Sequence, residues 1–369
     1  MSAETDRSAG SQPNFARVRQ LMREECLDAV VVGPGAGFHH LLGLRGNLTE
    51  RLLCLVVTDD SEAIVVPRLQ APLYRHLRTE TIVWDEHEEP TGLLCSFLRK
   101  HDVRSVGVNR EFWAGFLIKM QEQAPKISFK AALSLELARM IKSPQEIEAL
   151  TRASHRIDAV WSQFLKDNPV LTGKTELELR GAIGNLMQNA GFSPIAWIDI
   201  GAGENGASSL HHGSEYRLRP GDPVVCDFAG ALDGWYADIC RVASAGIPEQ
   251  GYLDAYSVLL EAQEAAFQSI QPGVVASAPD EAARAILANA GFGDAFTHRV
   301  GHGIGLDAHE EPYLVKGSNL RLAVGMVMSA EPGIYLPGRW GMRVEDIVAQ
   351  TTEGPLRLNR APRAIAIQG

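Results

Sequence analysis

Acidic side chains set among apolar residues constrain this chain more than any other feature. Asp227 lies in Val224-Val225-Cys226-Asp227-Phe228, and Asp238 in Tyr236-Ala237-Asp238-Ile239-Cys240. Glu331 falls in Ser329-Ala330-Glu331-Pro332-Gly333, and Glu345 in Arg343-Val344-Glu345-Asp346. His302 stands among glycines, in Val300-Gly301-His302-Gly303-Ile304-Gly305. The apolar flanks predict partly buried strands, and a buried carboxylate without a partner is costly. Four carboxylates and one imidazole suit two hard divalent cations held close together, and such a pair can activate a water. The chain is therefore expected to fold so that these three distant segments meet.

The spacing supports that expectation. Gly230, Asp233 and Gly234 lie between Asp227 and Asp238 and supply a turn. Two antiparallel strands joined there put both carboxylates on one face. By the two-residue period Asp227 shares its face with Val225, and Asp238 with Tyr236 and Cys240. Glu331 and Glu345 are expected to repeat the arrangement across a turn at Pro337-Gly338-Arg339-Trp340-Gly341. Arg343 shares the face of Glu345. It reads either as a simple ion-pair partner or as a bidentate binder of a substrate carboxylate.

Other histidines are weaker signals. His309 opens His309-Glu310-Glu311-Pro312, but Tyr313 stands where H-E-x-x-H needs its second histidine, which removes the helical zinc-protease reading. Glu310 and Glu311 are open to a solvated reading. Of His211 and His212, one is a candidate for the site and the other is expected to be exposed. Gly201-Ala202-Gly203-Glu204-Asn205-Gly206 matches G-x-G-x-x-G. No amphipathic helix follows to aim its N-terminus at a phosphate, so a glycine-rich substrate loop is the better reading. His39-His40 is taken as structural.

The chain has 369 residues, which predicts two domains. Residues 1–13 read as a flexible tail. Residues 14–142 alternate helices and strands: a helix from Phe15, strands at Ala29 to Val32, Thr81 to Trp84 and Val106 to Asn109, a hairpin around Thr58-Asp59-Asp60-Ser61, and a helix near Leu93 to Leu98. That pattern predicts an α/β domain. Ser143-Pro144-Gln145-Glu146 is a capping box, and a long helix should follow it to about Leu165. Thr175-Glu176-Leu177-Glu178 repeats the signal, with a stop near Gly191. Further helices are expected at Leu253 to Ile270 and Asp280 to Ala290. Helices segregated from antiparallel strand pairs predict an α+β domain over 143–369.

The net charge of −10, with no basic cluster, argues against nucleic acid or an anionic membrane as partner. No apolar run approaches the roughly 18 residues of a spanning helix. Five scattered cysteines, Cys26, Cys54, Cys95, Cys226 and Cys240, fit reduced thiols in the cytoplasm.

Taken in order, Asp227, Asp238, His302, Glu331 and Glu345 resemble the dinuclear-metal signature of the pita-bread metallopeptidases. These include prolidase (Xaa-Pro dipeptidase), aminopeptidase P and methionine aminopeptidase. The motifs Gly301-His302-Gly303-Ile304-Gly305, His309-Glu310, Glu331-Pro332-Gly333 and Arg343-Val344-Glu345-Asp346 carry the likeness. The region 14–142 resembles the creatinase/prolidase N-terminal domain, which favours the prolidase and aminopeptidase P branch. The resemblance implies that Asp227 chelates one metal, that Asp238 and Glu345 bridge two, and that His302 and Glu331 hold the second. It implies His211 and His309 as substrate-contacting catalytic groups, Glu331 as proton carrier, and Arg343, with His212, as substrate-binding. It further implies Mn²⁺, or else Co²⁺, Fe²⁺ or Zn²⁺, a small peptide substrate and a homodimer. Cys240 and Ala237 depart from the threonine and serine common in the family. The expected reaction is hydrolysis of Xaa-Pro bonds by a water activated between the cations. Two competing expectations are a metal-dependent enzyme acting on a small non-peptide substrate, and a non-catalytic binding module; the complete ligand set disfavours the latter.

Overall fold

The computed structural model describes residues 15–77 and 79–369, so the predicted tail at 1–13 lies outside the described residues. Its contacts divide the chain between Arg139 and Met140 into two compact units. In the first, α1 (Phe15–Glu24) leads into β1 (Ala29–Val32), α2 (Ala36–Leu42), β2 (Cys54–Thr58), β3 (Glu62–Pro67) and β4 (Glu80–Trp84). Then come α3 (Pro90–Lys100), β5 (Ser105–Val108), α4 (Ala114–Gln123), β6 (Ser128–Ala131) and α5 (Leu133–Met140). The six strands form one sheet in the order β4-β3-β2-β1-β5-β6. Aliphatic residues on the two faces feed separate cores, one around Val31, Val56 and Val65, the other around Val30, Leu55 and Ile64. The predicted hairpin is β2–β3, antiparallel. Three helices and one strand lie where no element was expected, α2, α4, α5 and β6. Gly35 precedes α2 at φ 155, so the glycine pair around Pro34 starts a helix as well as stopping a strand.

In the second unit, α6 (Pro144–Asp167) and α7 (Glu176–Asn189) both begin with complete capping boxes, at Ser143 with Glu146 and at Thr175 with Glu178. Each box satisfies two otherwise orphaned helix N–H groups. Next are β7 (Ile195–Ala202), β8 (Pro223–Leu232) and β9 (Trp235–Ser244), then α8 (Gln250–Ser269) and α9 (Ala278–Asn289). The chain ends with β10 (Gly301–Gly303), β11 (Glu310–Leu314), β12 (Val327–Ala330), β13 (Gly333–Leu336), β14 (Trp340–Arg343), β15 (Asp346–Thr351), β16 (Gly354–Arg357) and β17 (Ala366–Ile367). Two larger sheets result, β17-β9-β8-β7 and β11-β10-β12-β15-β16, with β13 and β14 as a separate hairpin. The first packs α6 and α7 against its apolar face, through Trp161, Phe164, Ile183 and Met187. An isolated bridge between Cys240 and Glu345 joins the two sheets, with the Glu345 N–H donating to the Cys240 carbonyl at 3.2 Å. That seam is closed from behind by Arg241. Its guanidinium donates to the carbonyls of Cys240 and Glu345 and to Asp346 Oδ1, the last at 2.6 Å.

Candidate metal centre

The β8–β9 turn consists of Asp233 and Gly234, both at positive φ, as a two-residue hairpin turn requires. The turn sets the register so that Asp227 faces Cys240 and Ala229 faces Asp238. The two aspartates therefore sit diagonally on one face, as the two-residue period predicts. Across the seam, β12 pairs with β15 so that Ala330 faces Asp346, which places Glu331 and Glu345 just beyond the pair. The turn at Pro337–Gly341 belongs to β13 and β14, whose ends stop at Gly333 and Arg343. The register of that hairpin runs on into the pairing of β12 with β15, with the Val344 N–H donating to the Pro332 carbonyl between them, so the expected turn does set Glu331 opposite Glu345; they face each other directly, where the two aspartates are diagonal.

His302 is carried by β10, and its flanking glycines are explained by close backbone approach. A Cβ on Gly301 would lie 2.1 Å from the Ser329 carbonyl oxygen, and one on Gly303 2.3 Å from that of Glu311. His302 Nδ1 is 3.0 Å from the Gly303 carbonyl, an acceptor only, so this nitrogen carries the proton. Nε2 is left with its lone pair, 3.3 Å from Glu331 Oε1 and 3.9 Å from Asp238 Oδ2.

All five predicted ligands meet. Ligand atoms of Asp227, Asp238 and Glu345 lie within 4.8 Å of one another, as do those of His302, Glu331 and Glu345, and those of Asp238, His302 and His309. Asp227, Asp238, His302, Glu331 and Glu345 are all buried. Burial, reinforced by the negative charge of Asp227 and Glu331, pushes Asp238 well above the usual carboxylate range. Burial and the same crowd of carboxylates do the same to Glu345, and burial raises Glu331. Burial pushes the His302 imidazole down to about 4, which keeps it neutral, as a ligand must be. Asp238 Oδ1 and Glu345 Oε1 are buried with no hydrogen-bond partner. Two orphaned carboxylate oxygens, hard donors and a neutral Nε2 aimed at them fit a pair of divalent cations.

Around this set stand the substrate candidates. His211 lines a small cavity with Asp199, Asp227, Tyr335 and Arg343. His212 does not line it; its ring is largely exposed and its Nδ1 meets Asp199 Oδ1 at 2.6 Å. His309 packs edge-on against His302, with ring centroids 4.1 Å apart, and also meets Trp197 at 5.0 Å. Arg343 pairs with Asp227 Oδ2, the ion-pair alternative left open by its spacing. Glu310 is buried and salt-bridged to Lys142 at 2.7 Å, against the solvated reading. Sequence reasoning missed Trp197, whose Nε1–H donates to Asp227 Oδ1 at 2.7 Å, and His298, whose Nε2 meets the Tyr335 hydroxyl at 2.9 Å. Neither carries a local signal, because Trp197 reads as one more apolar strand residue and His298 stands outside the glycine motif.

Residues 148–352 match metallopeptidase family M24, more than half of the chain. The chain belongs to metallopeptidase family M24. Residues 15–141 match the creatinase/prolidase N-terminal domain. Like other members, this M24 protein is a metal-dependent hydrolase, with an α+β pita-bread catalytic domain that follows a smaller α/β domain in the sequence. A probable dipeptidase, PepE, of Mycobacterium tuberculosis is 36% identical over 348 residues, 92% of each chain. The Xaa-Pro dipeptidase of Pyrococcus furiosus is 35% identical over 353 residues, 94% of this chain and 97% of the relative. Among solved structures, prolidase from Thermococcus sibiricus superposes with a TM-score of 0.91 at 30% identity, covering 97% of this chain and all of that one (100%). No helix among the described residues is long and apolar enough to cross a membrane.

Proposed function

We propose that this metallopeptidase hydrolyses Xaa-Pro bonds in small peptides, using two divalent ions held by Asp227, Asp238, His302, Glu331 and Glu345. The observation that carries this is the meeting of all five ligands around two orphaned carboxylate oxygens, in a chain similar over nearly its whole length to Xaa-Pro dipeptidases. When bound, the ions supply Lewis-acid polarisation of the scissile carbonyl and acidify a water. The protein's own groups do the rest. Glu331, raised by burial and steadied by the Ser329 hydroxyl at 3.2 Å, takes up a proton and passes it to the leaving nitrogen. His309 hydrogen-bonds to charge that develops on the carbonyl oxygen, and His211 contacts the substrate from the cavity it lines. Arg343 binds the substrate's carboxyl end, for which it exchanges part of its contact with Asp227. An Xaa-Pro bond has no N–H, so recognition rests on such carbonyl and terminal contacts.

We assign Mn²⁺ as the metal, a homodimer as the working state and the cytoplasm as the setting, the last supported by five free cysteines. We place the junction of the two domains at Lys142–Ser143, where the first capping box begins. The test is hydrolysis of Xaa-Pro dipeptides beside Xaa-Pro-Yaa tripeptides by Mn²⁺-loaded protein, with chelator-treated controls. Metal-dependent cleavage of the dipeptides is expected. No cleavage of either length by protein shown to hold two metals would overturn the peptide assignment in favour of a small non-peptide substrate.

A further inference from the structure

The segment Thr175-Glu176-Leu177-Glu178 contains two glutamates with different destinations. Glu178 closes the capping box on Thr175. Glu176, the first residue of α7, turns inward and is fully buried, although it is no part of the metal set. Its Oε1 accepts the Ala202 N–H at 2.7 Å and the Asn205 side-chain amide at 3.1 Å. Its Oε2 accepts the Ser214 N–H at 2.9 Å and the Ser214 hydroxyl at 2.6 Å, and meets His211 Nε2 at 2.8 Å. The Ser214 hydroxyl itself accepts the Tyr216 N–H, so its own proton is directed to Glu176.

Each oxygen of Glu176 thus already receives a backbone N–H that can only donate. An oxygen so placed acts as acceptor toward His211 as well, and His211 Nε2 must then carry the proton. In the neutral ring this leaves Nδ1 as the nitrogen with the lone pair, on a side chain that lines the cavity with Asp227 and Arg343. The same carboxylate fixes the end of β7 and the Asn205 turn, so His211 and the glycine-rich loop are held by one group.

We propose that Glu176 is the positioning residue for His211: it selects the Nε2–H form of the imidazole and sets its angle at the substrate cavity. This rests on the assignment of His211 to the reaction. The closing experiment separates the two claims by reading the ring directly. In Zn²⁺-loaded protein labelled with ¹⁵N-histidine, long-range ¹H–¹⁵N spectra report which ring nitrogen of His211 is protonated, the signal being assigned by its loss in His211→Asn. The parent is expected to show Nε2–H. In Glu176→Gln an amide replaces one acceptor oxygen; the ring is expected to change form, and kcat to fall about 10- to 100-fold, with KM and metal content close to those of the parent. Ser214→Ala removes one bond to the same oxygen but keeps Glu176 against His211, and is expected to retain near-parental kcat and the Nε2–H form.

An Nδ1–H ring in the parent overturns the proposal even if Glu176→Gln fails to fold. So does a Glu176→Gln variant that keeps both tautomer and kcat, or a Ser214→Ala variant that loses as much kcat, since the carboxylate would then only brace the loop. If the parent cleaves no Xaa-Pro peptide, the functional assignment falls, while the ring's form still decides the positioning claim.

Discussion

β1 of the N-terminal unit reads Ala29-Val30-Val31-Val32 and is wholly buried, between strands that contribute Leu55, Val56, Val106 and Val108. β8 and β9 of the catalytic unit are buried almost as completely, yet they carry Asp227, Asp238 and Arg241. In the first sheet burial and sequence agree, and each aliphatic side chain removed from water contributes to stability. A polar group beside that sheet is satisfied too: Asn109 accepts the Gly33 N–H at 2.8 Å and donates to its carbonyl at 3.2 Å. In the second unit the charges fall into two kinds. Arg241 donates to Asp346 and to several carbonyls, and Asp346 also accepts from Gln263 and Arg357, as a structural pair must. Asp238 and Glu345 keep oxygens with no partner, and lie close to Asp227 and Glu331. Satisfied charge holds the two sheets together, whereas the unsatisfied charge lies where the proposed cations would sit.

Substitutions can separate these classes. The largest effect is expected beside the unsatisfied pair: Glu331→Gln should lower kcat by about 10²- to 10⁴-fold in steady-state assays without lowering the melting temperature of metal-free protein. A satisfied but buried pair should behave in the opposite way. Lys142→Met removes the cation from buried Glu310, both side chains being at most 3% exposed, and should cost about 3–5 kcal/mol in urea unfolding. In the aliphatic sheet, Leu55→Ala should cost about 2–5 kcal/mol and leave the metal content of folded protein unchanged. The smallest effect is expected at the helix start, where Ser143→Ala removes a cap and should cost about 1 kcal/mol. A Leu55→Ala protein that lost its metal, or a Glu331→Gln protein that melted well below its parent, would blur the distinction.

Much of this was legible in the sequence because it is local. The capping boxes at Ser143 and Thr175 depend on residues three apart, and both form. The face shared by Asp227 and Asp238 follows from strand period and one Asp-Gly turn. The meeting of Glu331 with Glu345 follows from the turn at Pro337–Gly341, whereas the bridge that joins Glu345 to Cys240 is long-range and left no local signal. Helix α2 was missed because Gly33-Pro34-Gly35 signals a break in either direction. Trp197, His298 and the inward turn of Glu176 left no trace in spacing, since each acts on a partner distant in sequence.

The most direct test of the central claim is the melting of Asp238→Asn beside its parent at pH 8, each metal-free and Mn²⁺-loaded. If the buried carboxylates oppose the fold until cations arrive, the metal-free variant should be the more stable of the two metal-free proteins, by about 1–3 kcal/mol. The parent alone should then gain strongly from Mn²⁺. A metal-free variant that melts below its parent, or a parent that Mn²⁺ does not stabilise, would contradict the account.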